Sequence, residues 1–158
     1  INTSAIADTV AFAANLSPLG IGRVNVNTNG GNDTVTLPAG TYSFGVNIDG
    51  GAGTESLTVT GANISGTAFT GLEVDNVETV NVSSSTFNTN AVFGLFIDNS
   101  DTVNISNVTI NTNTSVGVLI RDASVSATLT NVTATGNGAD GLNADPIPLV
   151  TKIGRAHV

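Results

Sequence analysis

The feature that most constrains this chain is a unit of about 23 residues that recurs with its pattern intact. Gly71-Leu72-Glu73-Val74-Asp75-Asn76, Gly94-Leu95-Phe96-Ile97-Asp98-Asn99 and Gly117-Val118-Leu119-Ile120-Arg121-Asp122 align almost letter for letter. Gly45-Val46-Asn47-Ile48-Asp49 precedes them and Gly141-Leu142-Asn143-Ala144-Asp145 follows. Self-similarity at a fixed period means one supersecondary unit stacked on copies of itself, because a single unit cannot bury its own apolar face.

Inside a unit the apolar residues fall in pairs two apart: Leu95/Ile97, Val103/Ile105 and Val108/Ile110. That spacing puts both members on one face of a strand. From Ile105 to Val108 the step is three, which would turn the second pair outward on a straight strand. The chain must therefore bend at Ser106-Asn107, and Asn tolerates the left-handed backbone such a bend needs. Gly61, Ser84 and Asn131 occupy the same place in neighbouring units. Five inward columns are predicted: Val46/Leu72/Leu95/Val118/Leu142, Ile48/Val74/Ile97/Ile120/Ala144, Leu57/Val80/Val103/Ala127, Val59/Val82/Ile105/Leu129 and Ile64/Phe87/Ile110/Ala134. Slips in the period are confined to turns, at 50–54 and 123–126.

Composition narrows the function classes. Thr and Val favour strands, Asn and Gly favour turns, and only 10% of residues are charged. The net charge of -8 argues against nucleic acid as a partner, since phosphates need a basic face. No apolar run approaches the roughly 18 residues of a membrane span. The segment 152–158 breaks the repeat and looks like a translated sequencing-library adapter, which would remove the only His, His157, from any site. Without it, 12 acidic side chains face two arginines, a net charge of -10. The absence of an initial Met suggests a fragment. The expected organisation is an irregular first coil or cap over 1–33, repeat coils over 34–151, and a non-native tail over 152–158.

The Gly-apolar-x-apolar-Asp-Asn units and the run Asp101-Thr102-Val103-Asn104-Ile105-Ser106-Asn107-Val108-Thr109-Ile110 resemble the right-handed parallel β-helices of the pectate-lyase-like type. The resemblance covers roughly residues 34–145. It implies an all-β, single-stranded, right-handed parallel β-helix (a solenoid) with about 23 residues per coil and roughly five coils. It also implies an extracellular or bacterial cell-surface setting. On function it is nearly silent, because such coils serve lyases, hydrolases and adhesins alike.

The best candidate site is the column ending the first strand: Asp49, Asp75, Asp98, Arg121, Asp145. Stacking places Asp75 and Asp98 about 5 Å apart, near enough to share a hard cation. By the resemblance, Asp75 and Asp98 would hold calcium and Arg121 would act as the catalytic base of a lyase. The plainer reading is that each Asp caps the turn after its strand and Arg121 relieves like-charge repulsion. A glycoside hydrolase needs two carboxyl groups flanking one bond, and no coil presents a dense acid or base cluster. Gly50-Gly51-Ala52-Gly53-Thr54-Glu55-Ser56-Leu57 resembles the calcium-binding nonapeptide of secreted toxins, but without consecutive copies it reads as a flexible turn. Glu73, Phe96 and Leu119 point outward beside the acidic column and are the ligand-binding candidates. The expectation is a non-catalytic scaffold or adhesive segment with no resident cofactor, its partner a polysaccharide or a host or cell surface. The alternative is a truncated polysaccharide lyase or hydrolase acting on acidic polysaccharide.

Overall fold

A computed structural model describes residues 1–12, 20–122, 126–145 and 150–153. In chain order the strands are β1 (Thr9–Ala11), β2 (Arg23–Asn27), β3 (Gly30–Gly31), β4 (Thr34–Leu37), β5 (Gly40–Tyr42), β6 (Gly45–Asp49), β7 (Ala52–Gly53), β8 (Ser56–Thr60) and β9 (Ala62–Ile64). They continue as β10 (Leu72–Asp75), β11 (Thr79–Ser83), β12 (Leu95–Asp98), β13 (Thr102–Thr109), β14 (Val118–Arg121), β15 (Ser126–Thr133), β16 (Leu142–Asp145) and β17 (Val150–Ile153). No helix occurs among the described residues, so none could cross a membrane.

All strand pairings are parallel and skip along the chain. One large sheet runs β16-β14-β12-β10-β6-β2 and a second β1-β4-β8-β11-β13-β15-β17, with β3-β7 and β5-β9 as two-stranded sheets. Each coil contributes one strand to each of the two large sheets, giving a β-solenoid of about five turns. The register matches the repeat: Leu72 pairs with Val46 and Leu95, and Leu95 with Val118. Val80 pairs with Leu57 and Val103 in the second sheet. The columns from Val46 to Val118 and from Leu57 to Ala127 are fully buried, because alternate side chains of every strand face the shared interior. Val24 and Val26 extend the first two columns upward, and Tyr42 heads the corner column above Ile64.

The bend falls where the apolar spacing changes. Gly61, Ser84, Asn107 and Asn131 all adopt positive φ, between 49° and 67°. Strands β13 and β15 run through this corner, so Val108 and Ile110 return to the interior despite the step of three.

Two ladders of amides hold the third turn. Asn90 N–H donates to Asn113 Oδ1 at 2.9 Å, and Asn113 N–H donates to Asn137 Oδ1 at 3.0 Å. Their Nδ2 groups donate to the carbonyls of Ile64, Phe87 and Ile110. Asn90 and Asn113 are buried, so these bonds satisfy backbone and side-chain groups that water cannot reach. Outside them, Asn88 and Asn111 accept from the backbone of Asn111 and Thr135.

The period slip at 50–54 is an extra loop: β7 lies beside β3, so Gly50–Gly53 forms a flap stacked on the Gly30–Gly31 segment. The second slip falls largely on 123–125, outside the described residues. The tail beyond 153, with His157, is also outside them. Strand β17 sets Val150 beside Ala127 and Lys152 beside Leu129.

Candidate functional site

Strands β10, β12 and β14 present Glu73, Phe96 and Leu119 outward in one row, because side chains alternate across the pleat. Glu73 pairs with Phe96 and Phe96 with Leu119, so the three ligand-binding candidates form one continuous strip on successive coils. All three are half-buried. The strip is richer than the sequence indicated. The Arg121 guanidinium lies 4.8 Å from the Phe96 ring centroid, and Phe93 packs 5.6 Å from the same ring at 51°. At the other end Arg23 Nη2 donates to Glu73 Oε2 at 2.8 Å, and the Arg23 guanidinium carbon lies 5.9 Å from the ring centroid of Phe69. Phe69 is 42% exposed, unusual for so large an apolar ring. Each end thus joins an aromatic face, a guanidinium and a carboxylate.

The strand-end acids lie in register as expected, with Asp75 beside Asp49 and Asp98. Their oxygens are engaged by neighbouring donors. Asn99 Nδ2 donates to Asp75 Oδ1 at 3.3 Å, and Asn27 Nδ2 and the Gly51 N–H donate to Asp49. Arg121 Nη2 donates to Asp98 Oδ2 at 2.5 Å, an ion pair spanning one coil. Asn76 and Asn99 follow the acids with φ of 52° and 46°, so the Asp-Asn pair turns the chain and its side chains tie adjacent turns together. Asp145 pairs with Arg121 through the backbone of β16.

A second acidic column escaped the sequence reading. Asp8, Asp33, Glu55, Glu78 and Asp101 each immediately precede a strand of the seven-stranded sheet. The N–H groups of Thr34, Ser56, Thr79 and Thr102 donate to the carbonyls of Asp8, Asp33, Glu55 and Glu78 at 2.8–3.1 Å, which places the five acids on successive coils. Each coil adds a single acid to this column, so it is a spaced ladder and not a dense cluster on any one coil. The signal was an acid followed by Thr or Ser and an apolar residue, repeated five times. Asp33 and Glu55 are buried, and Asp33 Oδ2, Glu55 Oε1 and Glu78 Oε2 accept no hydrogen bond. Burial raises the Glu55 carboxyl above its ordinary value, and the charges of Glu78 and Asp33 push the same way.

A protein-family model described as "Right handed beta helix region" matches residues 39–147. No curated protein and no solved structure matches the chain.

Proposed function

The chain belongs to the right-handed β-helix family, and from that premise we propose that it is a non-catalytic scaffold segment of a secreted or cell-surface protein whose outward Glu73–Phe96–Leu119 strip binds polysaccharide. The observation that carries the reading is the Phe93, Phe96 and Arg121 group: a flat ring face with a guanidinium against it, on a stiff sheet. Sugar rings present C–H faces that stack on aromatic rings, and the N–H groups that Arg121 does not give to Asp98 can donate to sugar hydroxyls or carboxylates. Strand spacing of about 4.8 Å sets Glu73, Phe96 and Leu119 in a row along the rod, a track for an extended chain.

Two features favour binding over catalysis. Arg121 donates to Asp98, and a guanidinium holding a carboxylate is a poor proton acceptor for lyase chemistry. Asp33 and Glu55 are buried, out of reach of a glycosidic bond that two carboxyl groups must flank.

Affinity electrophoresis through gels containing polygalacturonate or a neutral glucan tests the reading. Retardation by the acidic polymer, weakened roughly tenfold in Phe96→Ala, is expected. Equal mobility of Phe96→Ala and the parent chain in every gel overturns it. Steady growth of ultraviolet absorbance from unsaturated products, abolished in Arg121→Ala, would instead establish the lyase alternative.

A further inference from the structure

We propose that the Asp33–Glu55–Glu78 column, roofed by the Gly50–Gly53 flap, is a binding site for a divalent cation of the calcium class. The site is separate from the strand-end acids and from the polysaccharide strip, and its case does not depend on either.

Three acids sit on consecutive coils, their backbones about one strand spacing apart. Asp33 is 1% exposed and Glu55 is 4% exposed, yet each keeps an oxygen without any donor. Asp33 Oδ1 is occupied, accepting from the Asp8 N–H at 2.7 Å, which leaves Oδ2 buried with no donor of its own. Ion pairs among the described residues join Arg23 to Glu73 and Arg121 to Asp98, both on the other sheet. Buried carboxylates that lack a cationic side chain or a donor are costly, and a bound cation relieves both the desolvation and the mutual repulsion.

The flap is shaped to this column. A Cβ on Gly53 would lie 2.6 Å from Glu55 Oε1 and would run into the Gly31 carbonyl oxygen. A Cβ on Gly50 would lie 3.1 Å from Glu55 Cγ. Glycine thus lets a backbone carbonyl oxygen and the free Glu55 oxygen approach the same space, and hard oxygens of these two kinds are what calcium takes. No three acidic groups among the described residues converge on one point. The ion is therefore held between Glu55 and one adjacent rung, with carbonyl oxygen and water completing its shell.

The test is the melting midpoint of the whole chain near neutral pH, in millimolar calcium chloride against chelator, with calorimetric titration of calcium chloride alongside. Calcium should raise the midpoint by roughly 5–10 °C at saturation. The rise should vanish in Glu55→Gln and persist in Asp75→Asn. Asp33→Asn and Glu78→Gln serve if Glu55→Gln does not fold, since the one that removes the second carboxylate should weaken the titrated affinity at least tenfold. No midpoint shift and no binding heat in the parent chain overturns the proposal. So does a shift that survives Glu55→Gln, or both Asp33→Asn and Glu78→Gln, or one that Asp75→Asn removes.

Discussion

Gly94 has no side chain because Asn113 occupies its place: a Cβ on Gly94 would lie 2.8 Å from Asn113 Nδ2 and would collide with the Ile110 methyl. The relationship repeats one coil away, where a Cβ on Gly71 would lie 2.7 Å from Asn90 Nδ2. Gly71, Gly94 and Gly117 therefore serve the amide ladder, not a left-handed turn, since none of the three has positive φ. Gly94→Ala should destabilise the fold by about 1–3 kcal/mol, the usual range for overpacking a tight core. For a chain of this size that is a fall in melting midpoint of several degrees, measured by circular dichroism.

The corner at Asn107 gives a second expectation. Its φ of 54° carries no penalty for glycine and about 1–2 kcal/mol for an ordinary L-residue. Asn107→Gly should be close to neutral, while the β-branched Asn107→Val should lower the midpoint clearly. Asn107 also accepts from Asn131 Nδ2 at 3.1 Å, an exposed contact that adds little. Equal stabilities for the two variants would show that the corner does not depend on its backbone conformation.

Much of this was legible before any coordinates. The corner could be read from a spacing that changes from two to three between Ile105 and Val108, because a period error of one flips a side chain across a strand. The inward columns followed from the same arithmetic. The Asn90–Asn113–Asn137 ladder was not legible, since asparagine in a turn reads as a residue that tolerates left-handed backbone. Nothing local says that its amide faces the interior. The buried acids were hidden for a related reason. An acid just before a strand looks like an exposed turn cap, and only distant chain changes that: the flap over Glu55 and the Asp8 backbone against Asp33.

Arg121 separates binding from stability. It is half-exposed, and its contacts with Asp98 and Phe96 are surface interactions worth about 1 kcal/mol or less each. Arg121→Ala should shift the melting midpoint by only a few degrees at most while weakening retention by acidic polysaccharide. A large midpoint loss in this variant would mean that the outward strip is part of the structural frame.

Glu55 sets a pH dependence whose sign can be worked out. Its folded carboxyl is raised above the ordinary 4.5, first by burial and then by Glu78 and Asp33, against a hydrogen bond from its own backbone. Those two acids face it from the neighbouring coils, with Asp8 and Asp101 one rung further on, and the glycine flap adds no titratable group. Below about pH 4.5 the folded and unfolded chains both carry the proton, so the burial has no linkage cost. As pH rises through the raised folded value the unfolded chain releases its proton first, and stability falls. In chelator, Glu55→Gln should therefore melt higher than the parent chain at neutral pH, and the gap should close on acidification toward pH 4. Asp8 works in the opposite direction, because hydrogen bonds from Ser4 lower its carboxyl and their benefit fades as pH falls. That contribution is common to both chains and cancels in the difference. Calcium should reverse the order at neutral pH, since only the parent chain keeps the carboxylate to receive it. A Glu55→Gln curve that parallels the parent at every pH would mean that the buried carboxylate is neutralised in some other way.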